Sequence, residues 1–197
     1  MISRLATYLA SAVVKKTEED QYQEVFKYVF FIILNYILFF GYSLILGSLL
    51  GIPFQSILFF ATMVVLRRYA GGYHANTETR CLIISTVYFS SGIVFIKLIF
   101  SEIIKINAYY IIAAIMCALT ILFLCPCDSP EKPLEQKRIR IMKIKCIALI
   151  GFLVALILFI CASENHCWAS MFIISIFIET VLIVSGTIKL KKSNLKR

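Results

Sequence analysis

The sequence predicts an all-α, polytopic integral membrane protein with about six transmembrane helices, an N-terminal interfacial amphipathic helix and both termini in the cytoplasm. Hydrophobic residues make up 60% of the 197 residues and charged residues only 16%, whereas a soluble domain has about 25% charged residues. The mean hydropathy is +0.88. The net charge of +9 comes from basic residues between apolar stretches, which indicates membrane orientation rather than nucleic-acid binding. No nucleic-acid partner is expected.

The first 16 residues are predicted to form a helix on the inner membrane surface. Apolar side chains repeat there at helical spacing, at Ile2, Leu5, Ala6, Leu9, Ala12 and Val13. Polar side chains occupy the rest of the helical wheel. A cleavable signal peptide is the competing interpretation, but the stretch is weakly apolar and runs into Lys15-Lys16.

Six apolar segments follow, and each is judged against the roughly 20 residues that cross a bilayer core. They are 28–50, 52–66, 82–100, 108–124, 146–162 and 168–188. The second is short, and a tilted, half-buried or arginine-extended span is compatible with its length. Gly51-Ile52-Pro53 interrupts the first long apolar run, which favours a helical hairpin over one very long helix.

The orientation follows from the basic residues, because Lys and Arg are retained on the cytoplasmic side. With the N-terminus inside, only Lys97 and Lys105 of the 20 basic residues fall outside. Both termini, the segment 67–81 and a basic loop over 125–145 are then cytoplasmic. The whole chain, 1–197, is interpreted as one membrane-embedded domain.

The segment 67–81 is a long polar interruption that holds His74 and Cys81, seven residues apart. In a continuous helix the two side chains would lie about 10 Å apart along the axis, too far for the roughly 3 to 4 Å contact that activates a thiol. The chain must therefore bend, and Gly71-Gly72 supplies the backbone freedom. Residues 76–79 are rich in helix-capping types, so a new helix is predicted to begin there with Cys81 in its first turn.

A nucleophile and its base would explain this pairing. A helix N-terminus and neighbouring Arg80 favour a thiolate at Cys81, and the backbone N–H groups there can receive an oxyanion. Glu78 or Asn76 is a candidate to orient His74. The alternative is a cysteine that is a small buried hydrophobe and a histidine that is merely solvated. The residues alone leave both interpretations open.

Further candidates for the site are given lower weight. Arg67, Arg68 and Arg80 either hold an acidic part of a substrate or act as topology signals at a span end. The pair Gly71-Gly72 is expected to shape the turn rather than to contact substrate. Glu179 lies near the middle of the last apolar segment, where an ionisable group is a functional candidate that otherwise pairs with a polar neighbour or is protonated.

Neither a metal nor a cofactor is expected. Seven cysteines in a chain of this type do not indicate a disulfide framework, although a bridge between Cys161 and Cys167 is left open. Cys125-Pro126-Cys127 has C-x-C spacing rather than the C-x-x-C of common zinc sites.

Two motifs carry a family resemblance. Residues 67–75 read R-R-Y-A-G-G-Y-H-A, with Cys81 following, and residues 126–133 read P-C-D-S-P-E-K-P. In combination they resemble the accessory gene regulator B family, the AgrB membrane peptidases of bacterial peptide quorum sensing. The resemblance covers nearly the whole chain, since the length and the hydropathy pattern also match.

The resemblance implies a cysteine endopeptidase in the bacterial cell membrane that acts on an AgrD-like precursor peptide. Cys81 would be the nucleophile and His74 its general base, with the site at the cytoplasmic face. Cleavage would leave an acyl-thioester that an internal Cys or Ser of the peptide captures as a thiolactone or lactone. A homodimer surrounded by membrane lipid is also implied.

Two other classes of protein remain as alternatives. A small transporter or exporter of a peptide signal, without proteolytic activity, is compatible with six spans and with Glu179, but the sequence has no convincing internal repeat. A non-catalytic membrane partner of a signalling receptor is the other. Neither class requires the pairing of His74 with Cys81.

Overall fold

The computed structural model describes residues 2–17, 20–73, 75, 77–127, 136–163 and 166–194, and within these ranges the chain is helical, with no strand. The predicted all-α class is therefore confirmed for the described residues. They form seven α-helices and a short 3-10 turn at Asp20–Tyr22. The helices are α1 (Ile2–Thr17), α2 (Gln23–Leu49), α3 (Pro53–Ala70), α4 (Glu78–Phe100), α5 (Ala108–Leu124), α6 (Gln136–Ala162) and α7 (His166–Asn194).

Each of the six predicted apolar segments lies in a helix, α2 to α7. Among the described residues, four helices are long and apolar enough to cross a membrane, namely α2, α4, α6 and α7. The other two helices do not meet these criteria of length and hydropathy. Helix α5 has 17 residues, and α3 carries Arg67 and Arg68 in its last turn. The four long apolar helices indicate a membrane protein, while the count of six spans stays a prediction.

The break between α2 and α3 confirms the predicted helical hairpin. Gly51 adopts a φ of 74°, and Pro53 opens α3, where its missing N–H costs nothing. The Ile52 amide donates to the Gly47 carbonyl at 2.7 Å. Gly47 packs so closely on Ser56 that a Cβ has no room there, which lets the two helices approach each other.

Helix α7 is the centre of the bundle and packs against α3, α4, α5 and α6. Its residues 169–176 are all buried. Close packing elsewhere also depends on small residues, because the Phe59 ring of α3 fills the space beside Gly92 of α4. Because residues 169–176 of α7 are all buried, a polar group on this inner face meets protein rather than lipid.

The loops and helix termini are sorted to two opposite ends of the bundle. At one end, the Phe54 and Phe100 rings pack on Trp168 with centroids 6.0 and 5.6 Å away. At the other end, Lys145 lies over the Tyr69 ring at 5.8 Å. The second end carries the last turn of α3 with Arg67 and Arg68. Which membrane face this end meets stays a prediction.

One boundary differs clearly from the sequence prediction. Helix α6 begins at Gln136, so the second half of the predicted basic loop 125–145 is helical. The first residues of α6 therefore precede the part of this helix that is apolar enough to cross a bilayer. The predicted N-terminal helix is present as α1, in which Ala6, Ala10 and Val14 are buried and which packs on α2. Its position on the membrane surface stays a prediction.

Candidate active site

A sharp turn follows α3. The helix ends at Ala70 because Gly71 adopts φ 84° and ψ −140°, and Gly72 follows with a φ of 134°. Residues with a side chain rarely take these angles. The predicted bend at the two glycines is therefore confirmed, and α3 and α4 are separate helices.

The turn is held between two other parts of the chain. On one side, the Cys127 amide donates to the Ala70 carbonyl at 3.0 Å, and a Cβ on Gly71 would lie 2.6 Å from the Cys127 carbonyl oxygen. On the other side, a Cβ on Gly186 of α7 would lie 2.8 Å from the Gly72 carbonyl carbon. The backbone of the turn thus fits between Cys127 and α7 only because Gly71 and Gly186 both lack a side chain.

Cys81 lies in the first turn of α4. Thr77 is the N-cap of this helix, and its Oγ1 accepts a hydrogen bond from the Arg80 amide at 3.4 Å. The Cys81 amide donates to the Thr77 carbonyl at 3.0 Å, and the Cys81 side chain is half-buried. The predicted start of a helix near 76–79 is confirmed. The first N–H groups of such a helix have no acceptor within the helix and can bind an anion.

His74 and Asn76 lie outside the described residues, as does the segment 128–135 that carries most of the second motif. The contact between His74 and Cys81 therefore stays a prediction. The flanking residues Tyr73 and Ala75 are described, and both are half-buried.

The three arginines of the segment differ in their surroundings. Arg67 turns into the protein, where Nη1 donates to the Tyr88 hydroxyl at 2.6 Å and Nη2 to the Tyr73 carbonyl at 3.1 Å. Its guanidinium also lies over the Tyr88 ring at 5.6 Å. Arg68 and Arg80 are exposed. Arg67 thus holds the turn, whereas the other two are accessible to a ligand.

Glu179 of α7 lies directly beneath the turn. Its exposed fraction is 0%, and neither carboxylate oxygen has a hydrogen-bond partner among the residues that the structure describes. A Cβ on Gly72 would lie 3.6 Å from Oε1. Arg67 interacts with the carboxylate electrostatically. Of the alternatives that the sequence left open for Glu179, a hydrogen bond to a polar neighbour is not seen within the described residues, and Oε1 lies close to the turn that leads towards His74.

The family model of accessory gene regulator B, AgrB, matches residues 2–183. The chain belongs to the AgrB family. No curated protein and no solved structure matches it. Membership in the AgrB family implies involvement in agr quorum-sensing peptide processing. Together with the four long apolar helices it supports a membrane location for this AgrB-family chain.

Several residues around the turn of the AgrB chain escaped sequence analysis. Tyr73, Tyr88 and Gly186 contact the turn or Arg67, and the Cys127 backbone pairs with it. Tyr73 and Cys127 had a signal in the sequence, because they lie in the first and the second AgrB motif respectively. The others are distant in the chain or of a type that usually has a packing role.

Cys81 is one of seven cysteines in the AgrB chain and is less buried than Cys125. All seven are free. The Cys125 Sγ lies 3.4 Å from the Tyr69 carbonyl oxygen, and a hydrogen bond with the Cys146 thiol, together with burial, raises the pKa of Cys125 far above its ordinary value. Cys125 is therefore a protonated, buried thiol and a poor nucleophile. Within the described ranges, no group of three or more His, Cys, Asp or Glu side chains is arranged to hold a metal.

Proposed function

We propose that the chain is a membrane cysteine endopeptidase that cleaves an AgrD-like precursor peptide and cyclises the product to a thiolactone or lactone. Cys81 is the nucleophile and His74 the general base. The observation that supports the proposal most is the position of Cys81, which is half-buried in the first turn of α4, the helix that follows the glycine turn. An acyl-transfer nucleophile needs such a place, near both a base and oxyanion donors.

The reaction proceeds in two acyl transfers. The Cys81 sulfur attacks the scissile carbonyl while its proton passes to His74, and N–H groups at the start of α4 receive the oxyanion. The C–N bond then breaks, the leaving amine takes the proton, and an acyl-thioester remains on Cys81. A thiol or hydroxyl within the peptide attacks this thioester, the ring closes, and the Cys81 thiol is restored.

Exclusion of water decides between cyclisation and hydrolysis. In the thiolactone case one thioester replaces another, so no large driving force favours the ring over attack by water. The half-buried position of Cys81 at the start of a long apolar helix supports partial exclusion of water from the intermediate. Partial burial of the nucleophile therefore supports ring formation as well as cleavage.

The end of the bundle that carries Cys81 is proposed to face the cytoplasm, with lipid around the apolar helices. Exposed side chains of α2 include Ile37, Ile45 and Leu49, at 62%, 64% and 78% exposure. A continuous apolar surface of this kind is stable only against lipid or another protein. A homodimer would use part of the same surface.

We expect the exposed arginines to bind the acidic tail of the precursor. The double substitution Arg68→Gln and Arg80→Gln should raise KM roughly 10-fold, because each exposed ion pair contributes up to about 1 kcal/mol. It should also lower kcat, because Arg80 favours the Cys81 thiolate. The measurement is steady-state cleavage of a synthetic AgrD-like peptide in nanodiscs. Lys105→Gln, an exposed lysine predicted on the opposite membrane face, is the control and should leave KM unchanged. Equal KM values for the double variant and the wild type would contradict this role.

Capture of the acyl-enzyme tests the proposed function directly. Protein in nanodiscs is mixed with an AgrD-like precursor and quenched in acid, and mass spectrometry of its peptides should locate the acyl adduct on Cys81. Hydroxylamine added before the quench should release the acyl group as a peptide hydroxamate. The matched control Cys161→Ala, in α6, should form the same adduct. Cleavage with the adduct on another residue, or with no hydroxylamine-sensitive adduct, would overturn the proposal.

A further inference from the structure

We propose that Glu179 is a positioning residue, whose carboxylate orients the general base His74 and stabilises the positive charge of its imidazole after it takes the proton of Cys81. This inference rests on the proposed function and adds a third group to the catalytic pair. The earlier candidate Glu78 is exposed and lines a surface groove with Ser3 and Lys27. Glu179 is instead enclosed beneath the turn.

One face of α7 is built to receive the turn. Glu179, Leu182 and Gly186 follow each other at helical spacing, and each comes close to the Gly72–Tyr73 backbone. Gly186 leaves space for the peptide group, Leu182 contacts Gly72, and Glu179 presents its carboxylate there. The same helix face therefore sets the position of the turn and places a carboxyl group against it.

The carboxylate retains its full capacity to accept hydrogen bonds. Both oxygens are buried and without a partner within the described residues. A buried carboxylate in this state is strongly unfavourable, and an acidic group inside a membrane helix is a candidate for function for the same reason. A donor supplied by the neighbouring turn would remove the penalty.

Arg67 balances the charge of Glu179 without occupying its oxygens. It interacts with the carboxylate electrostatically, but its Nη1 and Nη2 already donate to Tyr88 and Tyr73. The other titratable groups that influence Glu179 are the thiols of Cys125 and Cys146, and thiols are weak donors. The neighbours of Glu179 thus leave room for a stronger donor, such as an imidazole N–H.

The backbone between Gly72 and His74 is short enough for the His74 imidazole to reach Glu179. His74 follows Gly72 by two peptide units, which together span at most about 7 Å, and the imidazole extends that reach. Arg67 also donates a hydrogen bond to the Tyr73 carbonyl, which precedes His74 in the chain. Gly72 and Tyr73 are therefore held in place next to the Glu179 carboxylate.

The test compares Glu179→Gln, Glu179→Asp and Glu78→Gln in nanodiscs, with kcat, KM and the pH dependence of kcat/KM measured for each. Glu179→Gln should lower kcat by at least about 10-fold and up to about 10⁴-fold, with little change in KM. Loss of the carboxylate destabilises the imidazolium, so the limb of the profile set by the imidazole should move to lower pH. Glu179→Asp keeps the charge and should keep the wild-type limb with part of the rate. Glu78→Gln distinguishes the two candidates for orienting His74, because loss of Glu78 should leave the imidazole limb of the pH profile at its wild-type position if Glu179 has this role.

A second readout needs no turnover. The rate at which iodoacetamide alkylates Cys81, followed by mass spectrometry against pH, should show the same shift of the imidazole limb in Glu179→Gln. A loss of kcat with an unmoved limb in both experiments would reduce Glu179 to a packing residue and overturn the inference. If Glu179→Gln does not fold, Glu179→Asp carries the test, because full activity in that variant would contradict a geometric role.

The failure of this inference is distinguishable from the failure of the proposed function. Formation of the thioester on Cys81, together with an unmoved profile in Glu179→Gln, would overturn the role of Glu179 alone. Absence of the thioester in the wild type would overturn the peptidase proposal itself.

Discussion

Cys81→Ala is expected to lower the rate of precursor cleavage by at least about 10⁴-fold, because the nucleophile of a covalent mechanism has no substitute. Cys81 lies in the first turn of α4 and is only half-buried, so loss of its sulfur should leave the fold intact. The measurement is the yield of cleaved peptide on gels and by mass spectrometry, with thermal unfolding in nanodiscs as a check on folding.

The partner variant His74→Ala should fall to a similar level, and the double variant should be no worse than either single one, since the two residues act as a unit. Cys117→Ala and Cys161→Ala are the matched controls. Both remove a half-buried thiol from an apolar helix, and both should retain cleavage. Continued processing by Cys81→Ala would end the peptidase interpretation.

The parts of the site that depend on local chemistry could be predicted from the sequence. Gly71 and Gly72 bend the chain because no other residue takes their backbone angles readily, and Thr77 begins α4 because its side chain caps the helix. The apolar segments could be predicted for the same reason, as their length and composition are properties of each segment alone.

The parts that depend on contacts between distant segments could not be predicted in this way. Glu179 was recognisable as an unusual residue in an apolar segment, but its position beneath Gly72 requires the packing of α7 on α3 and α4. Arg67 and Arg68 are adjacent and chemically identical, yet only Arg67 turns inwards to Tyr88. No sequence pattern distinguishes the two.

Gly186→Ala is expected to destabilise the protein by about 1 to 3 kcal/mol and to lower cleavage at least about 100-fold. Within a helix, alanine is ordinarily the better residue by about 1 kcal/mol, so the expected sign is reversed here. The reason is that the added Cβ would lie 2.8 Å from the Gly72 carbonyl carbon and 3.0 Å from the Tyr73 amide nitrogen. These are backbone atoms, which cannot rotate away, and a shift of about 1 Å in catalytic geometry costs on the order of 100-fold in rate.

Gly151→Ala in α6 separates this clash from any general effect of replacing a glycine in a helix. No heavy atom lies within 4 Å of a Cβ at Gly151, so stability should be unchanged or raised by up to about 1 kcal/mol, with cleavage at the wild-type rate. Thermal unfolding and peptide cleavage of the two variants, measured side by side, check both expectations. Normal cleavage by a folded Gly186→Ala protein would mean that the turn tolerates displacement, and the position of α7 would then have no part in setting the geometry around Cys81.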